Sequence, residues 1–238
     1  CEARSAEQAP GKLFGNPAHL FAALHVAAIT RGRPIHVLMP YSDALREPAE
    51  WFRQIWAESL GKRLDREGRV VEVGPTPVGA VGATDQHSQL QLFAEGPHDK
   101  LIAFVAVRGH GRDVRIPALF GGHDETTYLG GSTLGRLLDA ERRAVAVSLA
   151  RAGRPNLTIE IPAVTPAAIG ALVMLLEIAT AVAGEMMNVD PFDQPGVEEG
   201  KRLTFGLMGR PGYDARRAEV TDWERSDEGT ARVEVELP

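Results

Sequence analysis

Three polar segments of this 238-residue chain carry residue types that can do chemistry, and each also has a plainer structural reading. Residues 188–201 form a polar loop, with Asp190, Asp193 and Gln194, that enters a helix at Pro195. The free N–H groups of a helix start can receive a phosphate. Glu198 and Lys201, three residues apart, can equally be a surface ion pair. Residues 82–91 gather Thr84, Asp85, Gln86, His87, Ser88 and Gln89 between a strand and a helix. Open α/β sheets hold ligands there, outside the carboxyl ends of their strands. A helix cap at Thr84 or Asp85 accounts for part of this pattern, but not for Gln86, His87 and Gln89. Residues 57–62 place Glu58 beside Ser59 at a helix end, followed by Gly61 and Lys62. A polar helix C-terminus with a favourable lysine explains that segment too.

Other candidates fail on spacing. The glycines at 79 and 82 do not follow the dinucleotide fingerprint, and Gly131-Ser132-Thr133 lacks the lysine of a phosphate-binding P-loop. The seven histidines form neither H-E-x-x-H nor any i,i+4 pair. His110 and His123, with Asp113, Asp124 and Glu125, read as solvated loop residues. No metal and no cofactor is expected.

The elements that must position these segments follow from hydrophobic period and turn residues. Asn16-Pro17 starts a helix that Gly32 stops. A strand is expected at 34–39, a helix at 48–60, β-prone pieces at 70–73 and 78–81, and a helix at 86–94. Residues 100–107 are almost continuously apolar, as a strand buried on both faces of a parallel sheet requires. A loop at 109–127 precedes a helix at 134–151 and a strand at 156–161. Thr165 and Pro166 open a helix to about 187, and another spans 195–207. The charged tail ends in an alternating run at 232–237, either an edge strand or a loosely held terminus. Strands alternating with helices predict a doubly wound α/β fold with a mainly parallel sheet.

Composition narrows the function classes. Hydrophobic residues make up 44% and charged residues 24%, ordinary globular usage that excludes a wholly disordered or fibrous chain. The net charge of −6 argues against non-specific nucleic-acid binding, although a local basic pocket can still take a small anion. Cys1, the one cysteine, permits no internal disulfide and suits a reducing compartment. The uncharged run at residues 161–176 is shorter than the usual ~20 of a membrane span and holds Pro162, Pro166 and Gly170. No membrane association and a cytoplasmic location are expected.

Taken together the three segments resemble the glucose-6-phosphate isomerase (phosphoglucose isomerase) family. Phe192 through Lys201 match its F-D-Q-x-G-V-E-x-x-K signature. Residues 57–62 match its E-S-x-G-K segment, and residues 82–91 its G-x-x-x-Q-H-S-x-x-Q segment. The resemblance implies a sugar-isomerase (SIS) domain, a three-layer α/β/α sandwich of flavodoxin-like type. It implies interconversion of glucose 6-phosphate and fructose 6-phosphate through a cis-enediol. By the same resemblance Glu58 is the base moving a proton between C2 and C1. His87 assists ring opening from a neighbouring subunit, Lys201 lies near the ring oxygen and Gln194 near the phosphate. Such chemistry needs a carboxylate within reach of both carbons and an acid/base pair at the ring.

The family's Ser/Thr-rich phosphate loop and G-G-R-[YF]-S segment do not occur in this sequence, and Arg53, Arg63 and Arg66 carry no motif that would replace them. The expectation is therefore a C-terminal fragment, poorly active alone, whose partner is a missing N-terminal SIS domain and whose parent enzyme is a homodimer. Residues 1–15 read as a linker, 16–210 as the SIS domain and 211–238 as a charged tail. A non-catalytic sugar-phosphate-binding module is the alternative.

Overall fold

The computed structural model describes residues 15–118 and 124–226, and the chain divides into two compact units at Phe192/Asp193. The first unit opens with α1 (Pro17–Ile29), whose Asn16 side chain accepts from the Ala18 N–H at 2.9 Å. Strand β1 (Ile35–Pro40) leads to α2 (Arg46–Leu60), the short strands β2 (Lys62–Leu64) and β3 (Val70–Val73), and β4 (Thr76–Gly79). Then follow α3 (Leu90–Glu95), β5 (Lys100–Gly109), α4 (Leu134–Arg151), β6 (Asn156–Ala163) and α5 (Pro166–Met186).

Four strands pair in the order β4-β1-β5-β6, all parallel, while β2 and β3 form a separate antiparallel ribbon. Side chains on the central strands alternate between two cores, as a pleated strand dictates. Leu38, Ala103 and Val105 face α1, α2 and α5, packing with Phe21, Phe52, Trp56, Leu172 and Leu176. Val37, Met39, Ile102 and Phe104 face the opposite way, against Phe93 of α3 and Val145 and Leu149 of α4. The result is an α/β/α sandwich of the SIS, flavodoxin-like kind. Helix α5 is long and apolar enough to cross a membrane. Its Leu172, Leu176, Ala179 and Ala183 are instead buried in the first core.

Several boundaries differ from expectation. Strand β4 ends at Gly79, and a 3-10 turn, Thr84–Gln86, precedes α3, which starts at Leu90. Asp85 causes the delay, because its carboxylate takes the Val81 N–H at 2.7 Å and closes a turn where a helix would begin. The ribbon partner β2 has no apolar period to reveal it. Gly74 (φ +154) lies so close to Gly61 that a Cβ there would sit 2.7 Å from the Gly61 Cα. That contact lets the chain return from the ribbon to the start of β4.

The second unit holds α6 (Pro195–Leu207) and α7 (Asp214–Ser226). Phe205 packs edge-on against Tyr213 at 5.4 Å between centroids, with the Arg210 guanidinium 4.4 Å over the Phe205 ring. Arg216 of α7 bonds Glu199 of α6 at 3.0 Å. Residues 214–226, expected as part of a charged tail, are thus helical. The alternating run at 232–237 and the linker at 1–14 lie outside the described residues.

Candidate functional site

Helix α2 carries Glu58 in its last turn, where the end is held by its own sequence. Lys62 is buried, and its Nζ donates to the Glu58 carbonyl at 3.0 Å, satisfying one of the acceptors a helix end leaves open. The Glu58 carboxylate itself is exposed and has no hydrogen-bond or ion partner among the described residues. It lines an open depression of about 890 Å³ with Thr76 and Pro77, the first residues of β4. Glu47, Glu50 and Arg53 line the same depression, and Arg53 is already paired with Glu50. Arg66 is committed too, to Glu185 at 2.6 Å.

One turn before the end of α2, a polar cluster sits inside the core. Trp56, His25 and His36 are completely buried. The Trp56 indole N–H donates to His36 Nδ1 at 2.9 Å, so the His36 hydrogen resides on Nε2. His25 Nδ1 donates to the Phe21 carbonyl at 2.8 Å, so its Nε2 keeps a lone pair. Neither Nε2 meets a partner at hydrogen-bond geometry. Burial lowers His25 to about 4, the Phe21 carbonyl opposing. Burial, and then the neighbouring His25, lower His36 to about 2, against a weaker influence of the Arg33 backbone. Both rings are neutral at pH 7. The sequence does not reveal this cluster, because His36 and Trp56 meet from twenty residues apart.

His87 belongs to a separate frame beyond β4. Ser88 donates to Asp85 Oδ1 at 2.7 Å, and Gln86 Nε2 donates to the Tyr41 hydroxyl at 2.8 Å. Partial burial pushes the Asp85 carboxyl up. The Ser88 hydroxyl, the Val81 N–H, Gln89 and Arg46 together outweigh it and hold Asp85 below the usual range. Asp85 and Gln86 are therefore positioning residues, and the His87 ring is left exposed and uncommitted among the described residues. The peptide between Gly82 and Ala83 is cis. A Cβ at Gly82 would lie 2.5 Å from the Tyr41 ring, which is itself buried. Gly82→Ala is therefore expected to destabilise the protein by about 1–3 kcal/mol, typical of overpacking, and to displace the His87 loop. Urea titration checks the first effect. An unchanged midpoint would show that Tyr41 gives way freely.

These two frames stand at opposite ends of the sheet. Glu58 meets the beginning of β4, whereas Gly82 has already passed its end and donates to the Pro40 carbonyl at 2.9 Å. The intervening extended residues span roughly 20 Å at ~3.3 Å each. Within one chain the backbone thus holds Glu58 and His87 apart, at the two ends of β4.

Gln194 and Lys201 belong to the second unit. Gln194 occupies the N-cap position of α6 without a side-chain capping bond. Lys201 Nζ lies 2.7 Å from Glu198 Oε1, the exposed i,i+3 pair that its spacing allows. This pair holds the Glu198 carboxyl below its usual range, chiefly through the hydrogen bond. Among the described residues no group of three or more His, Cys, Asp or Glu side chains is arranged to hold a metal. His123, read as a solvated loop residue, lies outside the described residues.

Known proteins share this framework. The family model described as phosphoglucose isomerase matches residues 18–229. A glucose-6-phosphate isomerase of Rubrobacter xylanophilus is 50% identical over 90% of this chain and 48% of its own length. One from Carboxydothermus hydrogenoformans is 48% identical over 87% of this chain and 45% of its own. A crystal structure titled a hypothetical protein from Thermus thermophilus superposes with a TM-score of 0.78. It is 42% identical, over 87% of this chain and 48% of its own. This chain thus spans about half the length of the curated relatives it matches.

The expectation of an incomplete C-terminal fragment, poorly active alone and partnered by a missing N-terminal SIS domain, is corrected to a chain that the family model matches over nearly its whole length. The family match takes in residues 18–229, nearly the whole of this chain. Physically, the described residues up to Phe192 supply helices for both faces of their sheet and pack two cores against it. By the extent of that match and the identity to its relatives, the chain belongs to the phosphoglucose isomerase family.

Proposed function

We propose that this protein interconverts glucose 6-phosphate and fructose 6-phosphate. Glu58 takes the proton from C2 of the open-chain sugar and returns it to C1, while the hydroxyl proton shifts between O1 and O2, so that nothing is gained or lost overall. His87 and Lys201 serve ring opening at O1 and the ring oxygen, and Gln194 receives the phosphate. The observation that carries this reading is the Glu58 carboxylate. It is unpaired among the described residues on the rim of an open depression, within a motif that matches the family's. A proton-transfer base must be free in this way. Buried neighbours hold its helix in place behind it.

The distance between Glu58 and His87 adds a second element: His87 serves the Glu58 of another copy. A cytoplasmic location goes with this family and with the reducing-compartment composition.

A coupled fructose-6-phosphate assay across a protein concentration series tests the reading. Turnover in the ordinary enzyme range of ~1–10³ s⁻¹ is expected, with specific activity rising as dilute protein associates. Absence of turnover at every concentration would sink it and leave a binding module.

A further inference from the structure

A second cavity, of about 670 Å³, opens at the carboxyl ends of β5 and β6, beside the start of α4. Its size suits a small molecule, and its place is where parallel α/β sheets hold ligands. Four arginines line it: Arg108, Arg136, Arg142 and Arg143. Three carboxylates line it as well, but each is already engaged. Glu160 pairs with Arg108 across the two strands. Asp139 binds Arg142 at 2.7 Å. Asp113 accepts the Gly135 N–H at 2.8 Å and the Thr133 hydroxyl, acting as a cap for α4.

That leaves cationic charge unmatched. Arg143 pairs only loosely, at 3.9 Å, with an Asp139 that Arg142 already holds, and the Arg136 guanidinium has no partner among the described residues. Seven residues apart, they share one face of α4, separated by about 10 Å along its axis. Two flexible guanidinium forks at that spacing can close on one ligand from either side, and their planar donors match phosphate and carboxylate oxygens. The depression beside Glu58 has the opposite character, with Glu47, Glu50 and Glu58 against Arg53.

We propose that this arginine-lined cavity binds a small polyanion, a phosphate ester or a polycarboxylate, at a site separate from Glu58. Arg136 and Arg143 are its anchors. Arg108 and Arg142, each neutralised by a carboxylate, form its walls. The inference stands independently of the isomerase reading.

Calorimetric titration of the 238-residue protein at low ionic strength, with pyrophosphate and separately with citrate, tests it. Saturable binding of at least one probe is expected, weakened tenfold or more in Arg136→Ala/Arg143→Ala and unchanged in Lys201→Ala. Stronger binding of pyrophosphate would assign the site to phosphate esters, and stronger binding of citrate to polycarboxylates. The proposal is overturned if neither probe saturates, if the arginine variant binds as well as the parent, or if Lys201→Ala alone abolishes binding. The melting temperature of the arginine variant without probe should match the parent's. Arg136→Gln/Arg143→Gln repeats the test should it not.

Discussion

Glu58→Gln is expected to lower kcat by about 10³-fold, within the 10²–10⁴ range for loss of a general base, with a much smaller change in KM. The amide keeps the size and polarity of the carboxylate but cannot hold the C2 proton. The side chain is exposed and unpaired among the described residues, so no folding contact is lost with it. The melting temperature should therefore stay within experimental error of the parent's, separating a chemical effect from an unfolded sample. Exchange of the C2 hydrogen of glucose 6-phosphate with solvent deuterium should fall by the same factor. Exchange continuing at the parent's rate would assign the base to another residue.

The second large effect concerns stability. Folding stability is expected to drop by about 3 kcal/mol between pH 6.5 and pH 5, where the unfolded histidines take up protons that the buried pair beside Trp56 does not. An unfolded histidine titrates near 6.5, whereas burial lowers His25 to about 4 and His36 to about 2. Above pH 6.5 neither state binds these protons, and the pair contributes no pH dependence. Below it the unfolded chain takes up two protons that the native chain refuses. Each costs about 1.4 kcal/mol per pH unit. The carboxyls of Asp85 and Asp113 are held low and titrate beneath this window.

Urea midpoints at pH 7 and pH 5 measure the drop, and His25→Leu should roughly halve the slope. A flat profile between those values would show that both histidines titrate as exposed ones do. Protonation of His36 at Nδ1 would also remove the acceptor of the Trp56 indole, two residues before Glu58.

The legible part of this protein is the part that local chemistry decides. Asn16, Thr133 and Thr165 cap their own helices, accepting from backbone N–H groups two or three residues on. The unbroken apolar run of β5 declares a central strand, because both of its faces are buried. Helix α7 was less visible, since its sequence is mostly charged and carries no apolar stripe. The motif residues Glu58, His87, Gln194 and Lys201 could be read from spacing and resemblance. Their surroundings could not. Trp56 meets His36 from twenty residues away, and Gln86 meets Tyr41 from forty-five. Nothing in the local pattern of either segment announces such a partner. The arginine cavity is likewise assembled from a strand end, a loop and the face of α4. Only the folded arrangement reveals which of its carboxylates are already spent.

The most direct test of a site shared between copies is complementation of two inactive variants. Glu58→Gln and His87→Ala should each lose most activity when assayed alone. In a mixed dimer, one site keeps the Glu58 of one chain and the His87 of the other, while the second site loses both. Equal mixing after reversible dissociation should place half of the dimers in that form, restoring roughly a quarter of the parent's turnover if binding is otherwise random. Recovery near that level is the predicted result. A mixture no more active than its separate components would contradict the account, because Glu58 and His87 would then have to act within one chain.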